Sequence, residues 1–197
     1  MEILSTLALI LLFFILFLSL FASWWFISML IPIILKGGPY VPSSWKRVED
    51  MIKMARITPT DTVIDLGSGD GRLLIASLQA GAKKAEGYEI HRGLVSLSRW
   101  IARKKRVQDR LTVYYRSFWK ADLKNCDIIF LYQLPLAMKL LVEKIKKEAK
   151  PGTRIVSNSF SFPDWNPLQN EGGIYLYQVP QTVSPSEETQ KATEKQN

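Results

Sequence analysis

The stretch Val63-Ile64-Asp65-Leu66-Gly67-Ser68-Gly69-Asp70-Gly71 constrains the fold more than any other part of the chain. Its apolar start reads as a buried strand, its three alternating glycines as a tight turn, and the residues from about 71 to 80 as a helix. Glycine permits φ > 0 and lets the backbone approach a ligand closely. The helix that follows offers unpaired N–H groups to negative charge. Strand, glycine turn and helix in that order belong to an α/β fold that holds its ligand beyond the carboxyl ends of parallel strands.

The alternation continues. Strands are expected over 62–66, 85–90, 111–115, 127–132 and 154–159, with a last β run over 174–179. Helices are expected over 92–105 and 136–149, the second closed by Pro151-Gly152. The chain is short for seven strands, so the sheet is expected to be trimmed. Ahead of it, Pro42-Ser43-Ser44 reads as a helix start. Trp45, Val48, Met51, Ile52 and Ala55 fall at helical spacing, giving an amphipathic helix over 44–56 with Lys46, Arg47, Lys53 and Arg56 on its polar side. That helix packs on a sheet edge; a sharper reading also rests it on a membrane. From Thr182 onward the composition cannot bury a core, and disorder is expected.

Residues 3–35 are nearly all apolar, and Glu2 is the one charge in 1–35. About 20 such residues cross a bilayer as a helix. Trp24 and Trp25 suit the headgroup level, which places the span at 4–25 and leaves 26–35 as an interfacial continuation bent at Pro32. A cleaved signal is the alternative, but the acidic start, the long run and the lack of a cleavage site oppose it. Lys36, Lys46 and Arg47 follow the span and no cation precedes it, which puts the remainder on the cytoplasmic side or its equivalent.

All 26 Lys and Arg lie in 36–197 with 17 of the 18 acids, so this part carries 26 − 17 = +9. Anionic lipid is the favoured partner for that charge. Nucleic acid is ranked lower, because no basic stripe with interleaved aromatics is read; Lys83-Lys84 and Arg103-Lys104-Lys105-Arg106 read as solvated helix ends and loops. The single cysteine, Cys126, excludes an intrachain disulfide and reads as a buried small hydrophobe. With one histidine, His91, and no CxxC, no metal is expected.

Two cofactor classes use a glycine turn of this kind. A nicotinamide site wants a third glycine where Arg72 stands. The spacing Asp-x-Gly-x-Gly-x-Gly instead resembles the first motif of the class I S-adenosylmethionine (SAM) methyltransferases. The resemblance implies a Rossmann-like, mostly parallel sheet, with SAM held by Asp65, Leu66, Gly67, Ser68, Gly69 and Gly71. Asp65 is implied to meet the methionine amino group. Glu89, at the end of the second strand with Ile90 beside it, is implied to take the ribose hydroxyls; its alternative is a surface acid or helix cap. Ser117 stands where the family often has an acid near adenine. Phe118 and Trp119 flank the ring or pack in the core.

The resemblance extends further. Tyr40-Val41-Pro42-Ser43, DLGSGDGR over 65–72, Gly87-Tyr88-Glu89-Ile90, Leu94-Val95-Ser96-Leu97-Ser98-Arg99 and Phe118-Trp119-Lys120 together are similar to the small membrane-anchored lysine methyltransferases that modify the ATP synthase c subunit and the adenine nucleotide translocase. This implies a lysine of a membrane protein as acceptor, with lipid or small-molecule methylation and a non-enzymatic SAM-binding scaffold as alternatives. Tyr132 and Gln133, after the fourth strand, depart from the smaller residues of relatives and are the candidate acceptor contacts; Tyr132 is alternatively core. Tyr40 closes over the cofactor or packs at the hinge. The expected organisation is an anchor over 1–35, a hinge and amphipathic helix over 36–60, a methyltransferase domain over 61–181 and a disordered tail over 182–197.

Overall fold

The computed structural model describes residues 2–34 and 40–181. The expected hinge at 36–39 and the tail from 182 lie outside the described residues. The chain divides into two compact units, 1–40 and 41–197.

The first unit is one helix, α1 (Glu2–Ile34). Its segment Ser5–Ser28 has 24 residues, a mean hydropathy of 2.7 and no buried side chains in the apolar window, so one helix is long and apolar enough to cross a membrane. At 1.5 Å per residue it measures about 36 Å. The helix runs on through Pro32 to Ile34. A proline in the last turn removes a single helical hydrogen bond, which leaves the preceding turns intact.

In the second unit Ser44 caps α2 (Trp45–Ala55), its Oγ accepting from the Arg47 N–H at 3.2 Å. Strand and helix then alternate: β1 (Thr62–Leu66), α3 (Arg72–Gln79), β2 (Lys84–Glu89), α4 (Arg92–Lys104), β3 (Leu111–Tyr115), β4 (Ile128–Leu131), α5 (Pro135–Glu148), β5 (Arg154–Asn158), β6 (Gln169–Glu171) and β7 (Ile174–Gln178). The sheet order is β3-β2-β1-β4-β5-β7-β6. β1 to β5 are parallel, and β7 runs antiparallel to both β5 and β6.

The sheet therefore has seven strands, not fewer. The shortening falls on strand length and on the β5–β6 connection, where residues 159–168 carry no helix. β5 ends one residue earlier than expected because Ser159 takes φ +65. β4 starts one residue late, at Ile128; ahead of it Asp127 extends the pairing with β1, its N–H donating to the Thr62 carbonyl at 2.9 Å and its carboxylate accepting the Thr62 N–H at 2.8 Å.

Apolar residues cover both faces. Val48, Met51 and Met54 of α2 join Leu74, Leu78, Val95, Val63 and Phe130 on one side. Met138, Leu141 and Ile145 of α5 join Ile64, Ile129, Leu131, Ile155 and Tyr177 on the other. Cys126 belongs to this second core, and burial pushes its thiol up to about 12. The central strand β4, Ile128–Leu131, is consequently apolar throughout, as burial on both faces requires.

Residues 103–106, read as a solvated helix end, are exposed, and α4 carries more than cations on that side. Its exposed side interleaves Arg92, Arg99 and Arg103 with Leu97 and Trp100. Arg92 lies over the exposed Tyr115 ring at 5.3 Å and Lys104 over Trp100 at 5.6 Å. These cations rest on aromatic faces, a pattern invisible in the linear run 103–106 because it follows the helix surface.

Candidate active site

The strand order reverses between β1 and β4, and both run parallel, so their carboxyl ends open a crevice at the switch point. The glycine turn after β1 and the Tyr132-Gln133 segment after β4 meet there.

The turn hangs from β2. Gly67 N and Ser68 N donate to the Tyr88 carbonyl at 3.0 and 3.1 Å. Glu89, the next residue, is buried; its Oε2 accepts from Gly69 N at 2.9 Å and its Oε1 from His91 N at 2.8 Å. A carboxylate offers about four lone-pair positions, so Glu89 can brace the turn and still accept further donors such as a diol.

Gly67 and Gly71 have no substitute. Gly67 takes φ +93, and a Cβ there would lie 2.5 Å from Gln133 Nε2. Gly71 takes φ +78, and a Cβ there would lie 2.0 Å from Ser98 Oγ. Gly71 thus supplies the close approach of α3 to α4 that a nicotinamide motif assigns to the position of Arg72. That contact also explains why α3 begins at Arg72 with Gly71 as its left-handed cap.

Asp65 is 4 % exposed at the end of β1. Burial, then the charges of Glu89 and Asp70, push its carboxyl up to about 8. Two buried acids with no cation between them, beside a left-handed glycine turn, fit a ligand that brings an ammonium group and a diol. Ser68 Oγ and Gln133 Oε1 add two buried polar atoms with no hydrogen-bond partner. Such atoms cost about 1–3 kcal/mol each when left bare. SAM carries the groups this cradle asks for: an amino group for Asp65, ribose hydroxyls for Glu89.

Gln133 is 5 % exposed, and its Nε2 donates to the Leu66 carbonyl at 2.7 Å. Tyr132 is half-buried and stacks on Phe160 with centroids 6.2 Å apart. Ile90 is half-buried in the bend after β2. Ser117 is half-buried and precedes a short 3-10 turn, Phe118–Lys120, without capping it through its side chain. Phe118 is a core residue packed among Tyr88, Ala121 and Leu123, and Trp119 stacks on it at 4.9 Å. Tyr40 is the last residue of the first unit and is 41 % exposed.

Other residues join the site through contacts the sequence did not show, although Arg72 and Gly87 stand in the motifs quoted above and Asn158 lies at the carboxyl end of the fifth expected strand, where a ligand is expected. Arg72 pairs with Asp70 through Nε–Oδ1 at 2.9 Å and Nη2–Oδ2 at 2.6 Å, donates to the Ser43 carbonyl, and lies 5.3 Å from the Trp45 ring. The Pro42-Ser43 segment and the DGR end of the glycine turn are thereby one assembly. Asn158, buried at the end of β5, donates to Ser43 Oγ at 3.1 Å and accepts from Arg47 Nε at 2.7 Å. Gly87 sits where a Cβ would lie 2.6 Å from both Leu74 Cδ1 and Ser68 Oγ. A glycine inside a strand marks such a close approach.

A seven-stranded sheet of this order, with a glycine turn after β1 and an acid after β2, defines a Rossmann-like class I SAM methyltransferase, and SAM is its cofactor. A solved structure of that class, an RNA methyltransferase from Salinibacter ruber in complex with S-adenosyl-L-homocysteine, superposes with a TM-score of 0.69 at 30% identity, covering 74% of this chain and 97% of that one. The profile of the ANTKMT methyltransferase domain matches residues 65–169, and the chain belongs to that family. It is 34% identical over 150 residues to a protein-lysine N-methyltransferase of Saccharolobus islandicus, covering 72% of this chain and 93% of the relative. It is 35% identical over 130 residues to the mouse adenine nucleotide translocase lysine N-methyltransferase, covering 66% of this chain. The chain spans 56% of the length of that mouse relative.

Proposed function

We propose that the protein is a membrane-anchored protein-lysine N-methyltransferase whose acceptor is a lysine of a membrane protein. The observation that carries the lysine reading is the similarity to a lysine methyltransferase along 93% of that relative's length. The anchor reading rests on the apolar length of Ser5–Ser28, and the side assignment on the cations that follow it. Anchoring restricts collisions to targets at the bilayer surface. The lipid bilayer is then itself a partner, and no metal or nucleic acid takes part.

SAM supplies an electrophilic methyl group on a sulfonium. The chain's task is alignment. Asp65 faces the amino group and becomes ionised against it. Glu89 holds the ribose hydroxyls while bracing Gly69. Ser117 and Phe118 border the adenine side, and Tyr40 contacts the cofactor from the segment before α2. Tyr132 and Gln133 border the acceptor, whose ammonium loses its proton more readily in apolar surroundings.

Two observations favour a second reading, with RNA as the acceptor. The Salinibacter ruber structure is that of an RNA methyltransferase, and the cations of α4 interleave with Trp100 and Tyr115.

The test is transfer of radiolabelled methyl from SAM to membranes lacking the native enzyme, with Gly69→Arg as control. Label in a discrete protein band, lost with the control, is the expected result. Label confined to the lipid extract or to RNA would replace the lysine reading. SAM binding with no transfer to any fraction would leave a scaffold.

A further inference from the structure

The carboxyl edge of the sheet, where the crevice opens, exposes apolar side chains that the core does not use. Leu136, in the first turn of α5, is 82 % exposed, more than Phe13 of α1 at 71 %. Leu134 stands at the cap of the same helix and Leu140 one turn on, and both are exposed. The core side of α5 is filled by Ala137, Met138, Leu141, Val142 and Ile145, which leaves the three leucines outside it. Across the crevice, Arg92 opens α4 over the exposed Tyr115 ring, and Arg116 follows β3 with its N–H on the Glu89 carbonyl at 2.9 Å.

Charge at this edge has one sign. The segments leaving the carboxyl ends of β3 and β4, residues 116–121 and 132–142, contain no acid. Their cations Arg116, Lys120 and Lys139 are exposed. Asp65 and Glu89 are buried in the crevice, and Asp70 is clamped by Arg72. Asp164 is the one acid of the connection 159–168. Leucines beside arginine, lysine and tyrosine suit the boundary between lipid headgroups and acyl chains, where apolar groups sink and the polar tips stay at the headgroups. RNA would meet the cations but offers no apolar phase to Leu136. The opposite edge carries the cations of 103–106, but residues 103–110 expose no large apolar side chain and include Asp109.

We propose that the carboxyl edge is the face that lies on an anionic bilayer, with Leu134, Leu136 and Leu140 entering the headgroup–acyl boundary and Arg92, Arg116 and Lys139 meeting lipid phosphates. This rests on the anchor reading, which brings the domain to a membrane, and goes beyond it by naming the face. Leu136 and Leu140 are about 6 Å apart along the helix axis, within the roughly 5–10 Å that interfacial helices sink. Glu143, exposed on the next turn, ends the apolar stripe. The crevice then opens into the headgroup layer, so an acceptor there reaches the cofactor without leaving the membrane surface.

The experiment uses the full chain reconstituted in vesicles of phosphatidylcholine with and without phosphatidylglycerol. Cys126 is the single cysteine and is buried, so a nitroxide attaches selectively at Leu136→Cys or, at the opposite edge of the sheet, at Gln108→Cys. Flotation reports the anchor. Nitroxide collisions with oxygen and with a water-soluble nickel chelate report depth. The label at 136 is expected below the headgroups, deeper with phosphatidylglycerol, and the label at 108 in water. Leu136→Glu should slow methylation of the deficient membranes by roughly tenfold and leave S-adenosyl-L-homocysteine affinity within about twofold of wild type, a split that a misfolded variant would not show. A floating chain whose label is as wet at 136 as at 108, or dry only at 108, would overturn this proposal alone. So would wild-type methylation by Leu136→Glu. Shielding of 136 on native membranes but not on protein-free vesicles would give the leucines to the acceptor protein instead. Shielding by total RNA in place of vesicles would give the edge to nucleic acid. A chain that does not float would overturn the anchor reading and this proposal together.

Discussion

Asp65 links cofactor binding to protons. Burial raises its carboxyl to about 8 in the ligand-free protein, from an ordinary value near 3.8. A raised carboxyl pKa means the folded state holds the proton more tightly than the unfolded chain. This contribution to stability is fully present below about pH 4 and is lost as pH rises toward 8. A cationic amino group beside Asp65 favours the ionised form, so binding should release a proton. S-adenosyl-L-homocysteine affinity should rise with pH between 6 and 8, by up to about tenfold per unit. Calorimetry across that range should show the slope in wild type and none in Asp65→Asn. At this scale much was legible: the Asp-x-Gly-x-Gly-x-Gly spacing is local chemistry, readable from one strand and one turn. The orientation of Gln133 was not, because it depends on a carbonyl 67 residues away.

Elements are joined at the site by contacts with little tolerance. Gly71 lets α3 approach Ser98 of α4. Gly71→Ala combines a left-handed φ with a severe overlap and should lower stability by about 1–3 kcal/mol in urea unfolding. Arg72 joins Asp70, the Ser43 carbonyl and the Trp45 ring. Arg72→Lys keeps the charge but loses the planar fork and the stack. It should reduce both melting temperature and S-adenosyl-L-homocysteine affinity, and unchanged affinity would show that the α2 end does not support the glycine turn. Element type was legible from β1 to β5 because strand runs such as Ile128–Leu131 are apolar and short, and the helices between the strands are periodic. β6 was not. Gln169-Asn170-Glu171 has no apolar alternation, and it is a strand only because β7 presents an edge to it. Counting apolar runs therefore undercounted the sheet. Non-glycine left-handed residues at Ser159 and Asp164 were equally hidden, since they arise from the path of the β5–β6 connection.

For the whole molecule, the division at residue 40 makes the two units separable on paper. A chain beginning at Tyr40, which keeps the residue proposed to contact the cofactor, should melt cooperatively and bind S-adenosyl-L-homocysteine as the full chain does, but should lose most methylation of membrane targets. Equal activity on membranes would remove the role proposed for the anchor. The apolar N-terminus was legible as a helix at once, because its length and hydropathy alone mark it.

Arg47 has a consequence for how the protein is made. Its guanidinium closes on Asn158, Gly172 and Gly173, partners 111 to 126 residues downstream. At ribosomal rates of about 5–20 residues per second, α2 waits roughly 6 to 25 s for them. During that interval α2 can pack on α3 but has neither β5 nor β7 against it. The nascent chain thus carries a half-covered apolar helix until its last strands emerge, and that delay is the period in which a chaperone, or a wrong partner, can reach it.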